Sequence, residues 1–224
     1  DAFTLLPNPP SAPPPPSTPP SPPRPPPLAP APQSPPPLPP LQPGDCAIVG
    51  HHADSPDKVA ILLLAPVGVG QSIFVSDEEL TSDGPFGGYM SSSDSHHQVT
   101  APTDWPAGTV VTVDGLSVST SGEDLAVYQG TRDNPTFICA AEFGSYGFEN
   151  LPPGLALGVS AIELPYNDNC AYTGTMSASI DELRPLINTY TSSSWDCSDY
   201  YQPALPTTDA FTLLPNPPSP PPPP

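Results

Sequence analysis

Apolar positions along this chain gather into short runs at Cys46–Val49, Val59–Leu64, Ser72–Ser76, Thr109–Val113, Leu125–Tyr128, Thr136–Phe143 and Leu155–Leu164. These runs are rich in β-branched and aromatic residues, and the pattern predicts strands. Turn formers divide them at Ser82-Asp83-Gly84, Asp114-Gly115, Ser121-Gly122 and Pro152-Pro153-Gly154. Many short strands with Gly/Pro turns point to an all-β sandwich or barrel. One short helix is expected, because Ser179 and Glu182 make a capping-box pattern ahead of Leu183. Pro185 should limit it to a turn or two.

Outside this β-rich middle the pattern stops. Of 42 prolines, 22 lie in residues 1–43 and 10 in residues 203–224, leaving 10 for the 159 residues between. Proline fixes φ and removes the backbone donor, so helix and sheet are both excluded from residues 7–43. Polyproline II remains, and 37 such residues would span on the order of 115 Å as a semi-rigid spacer. The expected organisation is a rod over 1–43, a compact, disulfide-bonded, β-sandwich-like domain over 44–202, and a linker over 203–224 that opens the next rod.

A repeat sharpens that organisation. DAFTLLPNPPS at residues 1–11 returns unchanged at 209–219, and each copy opens a proline tract. Rod, domain and rod therefore look like a little over one period of a tandem array, and the chain reads as a processed segment or excerpt of something longer. A terminal duplication is the alternative. Within the repeat, Ala2, Phe3, Thr4, Leu5 and Leu6 recur as Ala210, Phe211, Thr212, Leu213 and Leu214. These are apolar, β-prone residues set between proline tracts. We expect them to dock as a strand on the edge of an adjacent β-domain and set a fibre repeat. Packing on the segment's own domain is the alternative.

Charge narrows the partners. Four Lys+Arg against 23 Asp+Glu give a formal −19. Such a surface repels nucleic acid, which needs clustered cations, and anionic lipid. No apolar run is long enough to span a membrane. The four cysteines, Cys46, Cys139, Cys170 and Cys197, suggest two disulfides and an oxidising compartment. Of three pairings, Cys46–Cys197 with Cys139–Cys170 is favoured, because the first would tie the domain's ends together. No C-x-x-C pair supports zinc.

The SPPPP-type and PPSPP-type runs of the rod resemble the hydroxyproline-rich glycoproteins of green-algal cell walls, extracellular matrix and flagellar-surface fibrils. The resemblance covers about a quarter of the chain. It implies hydroxylation and O-glycosylation at Pro13, Pro14, Pro15, Pro16, Pro35, Pro36 and Pro37, with Ser11, Ser17, Thr18, Ser21 and Ser34 as further acceptors. No N-x-S/T acceptor exists, since Pro135 follows Asn134 and Tyr190 follows Asn188-Thr189. GDCAIVG (Gly44–Gly50), Asp54, Asp57, PAGTVVTV (Pro106–Val113) and Thr120–Gly130 are similar to an all-β domain of some secreted bacterial surface proteins, which brings no catalytic residues.

Candidate chemistry is sparse. His51-His52 and His96-His97 would need the fold to bring both pairs together to bind metal, and loop polar groups are the simpler reading. Asp77-Glu78-Glu79 with Asp83, and Asn167-Asp168-Asn169, are candidates for calcium, although solvated loops are again simpler. Trp105, Trp195, Tyr89, Tyr190, Tyr200 and Tyr201 suit a core or interface better than a sugar site. No nucleophile elbow or nucleotide fingerprint is present. The sequence points to a non-enzymatic structural glycoprotein of the extracellular space, assembled into a fibre or coat. A stalked carbohydrate-binding adhesin is the alternative.

Overall fold

A computed structural model describes residues 38–78, 95–144 and 147–216, with Ser11 and Phe86. Of the expected glycosylation positions only Ser11 is described, and it is exposed. The others, and the first copy of the repeated segment at Ala2–Leu6, lie outside the described residues.

The described chain is mostly strand. In order these are β1 (Cys46–His52), β2 (Lys58–Leu63), β3 (Ser72–Ser76), β4 (His96–Thr100), β5 (Val110–Asp114), β6 (Asp124–Thr131) and β7 (Asn134–Glu142). They continue as β8 (Ala161–Glu163), β9 (Asn169–Tyr172), β10 (Ser177–Ser179), β11 (Trp195–Ser198) and β12 (Thr212–Leu214). The helix α1 covers Ile180–Ile187. Ser179 donates its N–H and its hydroxyl to Glu182, closing the expected capping box. Pro185 lies inside α1, which ends two residues later after about two turns.

Two five-stranded sheets form, in orders β11-β9-β1-β2-β5 and β4-β3-β6-β7-β8. Pairing is antiparallel throughout except between β7 and β8. Both contribute to one core, with Ile48, Ile61 and Leu63 from the first and Ile73, Val75, Leu125, Val127 and Ile138 from the second. Side chains alternate along a strand, so Ala126 and Tyr128 of β6 face the other way. There they join Phe86, Phe137, Ala140, Leu155 and Ala161 in a second apolar cluster. Burial on both faces is why Leu125–Tyr128 reads as an unbroken apolar run.

The disulfides correct the favoured pairing. Cys46 bonds Cys139, linking β1 to β7 and so one sheet to the other, with Cα atoms 5.6 Å apart. Cys170 bonds Cys197 at a Cα separation of 4.1 Å. The reason is register. β9 and β11 lie side by side with Cys170 and Cys197 directly opposite, within the few ångströms a disulfide can bridge. The four cysteines are thereby used up.

The domain also reaches past residue 202. Leu205, Ala210, Phe211 and Leu213 all pack on the main core, so the stretch expected as linker belongs in large part to the fold. At the other end Leu41 is buried and donates its N–H to Gln129 Oε1 at 2.9 Å.

Candidate functional site: the repeated segment and its groove

The second copy of the repeat packs on its own domain, the alternative to docking on a neighbour. Its Thr212–Leu214 forms β12, which runs parallel to β10 of the same chain, pairing Ser177 with Thr212, Ala178 with Leu213 and Ser179 with Leu214. The Thr212 N–H donates to the Met176 carbonyl at 2.9 Å. Among the described residues β10 pairs with β12 alone, so the segment supplies the backbone partners β10 needs.

Side chains fix the position. Phe211 is 8% exposed and joins the main core, against which Leu213, Met176 and Ile180 also pack. Leu213 lies over Gly108, whose φ of +94° favours glycine, and a Cβ built there would sit 3.4 Å from the leucine Cγ. A single 3-10 turn at Thr208–Ala210 leads in. Thr208 Oγ1 accepts the Val110 N–H at 2.9 Å, at the start of β5, the edge strand of the first sheet. At the far end Asn216 Nδ2 donates to Asp181 Oδ2 at 2.7 Å, in the first turn of α1.

The candidate calcium and metal residues are differently employed. Asp77 and Glu78 are buried rather than solvated. Asp77 accepts from the N–H and hydroxyl of Ser95 and, at 2.7 Å, from the Ser117 N–H. Glu78 takes both an Nε and an Nη2 bond from Arg132. His96 Nε2 lies 2.6 Å from Glu78 Oε2 and its Nδ1 2.8 Å from the Tyr128 hydroxyl. A proton on Nε2, donated to Glu78, leaves Nδ1 to accept from Tyr128. Burial, with Glu78 nearby, pushes the Tyr128 hydroxyl up to about 12, so it stays a donor. Glu79 and Asp83 lie outside the described residues. Asn167 and Asp168 are tied to Asp199, and Asn169 to Asp54.

The histidines are strand residues rather than loop groups, and the pairs sit on different sheets, on β1 and β4. His51 stacks on Phe143 at 3.8 Å, and burial pushes its pKa down to about 3. His52 Nε2 lies 2.8 Å from the Pro203 carbonyl. Among the described residues no three His, Cys, Asp or Glu side chains converge to hold a metal. Of the aromatics, Trp195 is buried edge-on to Tyr172 and Trp105 packs on the core. Tyr190, Tyr200 and Tyr201 are exposed, and Tyr89 lies outside the described residues.

Sequence reading missed an acidic ladder. Asp124, Glu142 and Glu163 stand directly opposite one another on β6, β7 and β8. Glu142 is 6% exposed, and burial, then Asp124 and Glu163, push its pKa up to about 7 against a Gly144 N–H bond that opposes the shift. A carboxyl raised above its unfolded value favours the folded state while protonated, so stability should fall as pH rises from about 4.5 to about 7. Glu142→Gln should flatten that fall in urea titrations across this range. An unchanged slope would show that other groups cause it.

Comparison with known proteins gives no match: no family model fits the chain, and no curated protein or solved structure is significantly similar to it.

Proposed function

We propose that this chain is a structural, non-enzymatic glycoprotein of the extracellular space that builds a fibre or surface coat. The domain, a sandwich of its two sheets, serves as the node. The proline tracts serve as rods that carry O-linked sugars, as in the hydroxyproline-rich glycoproteins the rod resembles. One observation carries this reading: the repeated apolar segment is a strand of the domain and runs straight into the next proline tract. Node and rod are thus joined by a structured element instead of a free linker. Two disulfides suit an oxidising compartment, and the acidic balance suits a coat of low adhesion.

Electron microscopy of native, untreated material tests the reading. Filaments with a repeat of one domain plus one rod, carrying extra density along the prolines, are expected. Dispersed particles with bare rods would overturn it. They would favour the stalked adhesin, for which Tyr200 and Tyr201, 95% and 52% exposed, are the sugar-stacking candidates.

A further inference from the structure

We propose that the groove beside β10 is a docking site for residues 1–8 of a second copy of this chain, entering as the parallel strand that Thr212–Leu214 forms in the closed domain. The inference rests on the repeated segment being an assembly element, but on neither glycosylation nor a native fibre.

The residues that hold the docked strand are residues of the repeat. Among the described residues the docking contacts run from the Thr208 bond on Val110 to the Asn216 bond on Asp181. The repeated stretch runs over 209–219. An offset of 208 puts Phe3 in the place of Phe211, Leu5 over Gly108 in the place of Leu213, and Asn8 opposite Asp181 in the place of Asn216. The Thr4 N–H would take over the bond to the Met176 carbonyl. Of the groove contacts, only that of Thr208 falls outside the repeat. Residues 1–8 therefore carry the groove's full apolar and backbone complement, and strand addition of this kind draws its affinity from main-chain bonds and alternate side-chain pockets.

Each chain carries the segment twice, and the groove takes one at a time. The tethered copy at 209–216 holds the advantage of high effective concentration. Exchange with residues 1–8 of another chain then grows with protein concentration, or when the tethered copy is weakened. The contact joins different surfaces of the two molecules, so it can be repeated head to tail along successive copies.

The test uses the full chain. Phe211→Asp weakens the tethered copy and leaves residues 1–8 intact. In analytical ultracentrifugation this variant should form oligomers that grow with concentration, whereas Phe3→Asp with Phe211→Asp should stay monomeric. A fluorescein-labelled peptide of residues 1–10 should bind Phe211→Asp at least tenfold more tightly than the unaltered chain. A monomeric, folded Phe211→Asp that ignores the peptide would overturn the proposal. Should that variant not fold, the unaltered tethered copy can be kept and Leu5→Cys combined with Ala178→Cys. Oxidation should then give a disulfide-linked ladder that Phe3→Asp abolishes, and monomers alone would overturn the proposal. Peptide binding without native filaments would leave the docking and remove the fibre. Filaments from a chain whose groove ignores the peptide would do the reverse.

Discussion

Replacing Cys46 and Cys139 together by alanine is expected to destabilise the domain more than replacing Cys170 and Cys197 together. The first bridge closes 93 residues and the second 27. Loop entropy alone gives losses of about 4.7 and about 3.6 kcal/mol. The gap should widen further, because Cys46 and Cys139 are both fully buried between the sheets while Cys197 is only partly buried. Losing the first bridge also frees the two sheets to separate, whereas the second joins strands already paired by backbone bonds. A total stability of roughly 5–15 kcal/mol is usual for a domain, so the first variant stands near the edge of folding. Urea titrations of the two double variants, with non-reducing peptide mapping of the parent, would check this. Equal losses, or a recovered Cys46–Cys197 peptide, would defeat it.

Arg132→Ala is the second large effect. Arg132 sits just beyond the end of β6, partly exposed, and looks like a surface residue. Surface ion pairs contribute about 0–1 kcal/mol. Here, however, the arginine's partner is Glu78, whose side chain is only 2% exposed. Removing the guanidinium strands a buried carboxylate that keeps only its hydrogen bond with the His96 ring. Breaking a buried pair from one side costs about 3–5 kcal/mol. Glu78→Gln should cost less, because the arginine it leaves behind reaches solvent. The double variant should lie well above the sum of the singles in stability, with a coupling on the order of 2 kcal/mol. The double-mutant cycle decides between the two descriptions, since additive singles of under 1 kcal/mol would make this an ordinary surface pair.

The strands most easily read in the sequence are those dominated by β-branched and other apolar residues. Cys46–Val49, Val59–Leu64, Ser72–Ser76 and Leu125–Tyr128 each fall within or on an observed strand to within a few residues, because the core needs their apolar character. The strands that could not be read are β4, β9, β10 and β11, with sequences HHQVT, NCAY, SAS and WDCS. These are three to five residues long and poor in β-branched residues, and only pairing with distant segments makes them strands. Leu155–Leu164 shows the opposite error. It is apolar enough for one long strand, yet only Ala161–Glu163 pairs with β7, while Leu155 serves the second apolar cluster.

The cysteine pairing failed for the same reason. With β9 and β11 invisible, nothing in the sequence set Cys170 opposite Cys197. Glu78 was hidden differently. In a run of three acids it reads as a solvated loop, and its partners lie 18 and 54 residues away, with no local spacing to announce them. The repeated segment was legible as a strand in need of an edge. Its choice of its own domain was not, because that depends on where β10 and Gly108 lie in space.

The parallel pairing of β12 with β10 has a mechanical side. Tension applied through Pro215 pulls on a strand held by a few backbone bonds, Phe211, Thr208 and Asn216. Cys197, a little upstream, is anchored covalently to Cys170. Force therefore peels the 19 residues from 198 to 216 and then meets a covalent stop. Fully extended, they would release on the order of 60 Å of chain while the two sheets, clamped by Cys46–Cys139, keep their shape. A segment held in this way would lengthen under a tug before the load reached the two sheets.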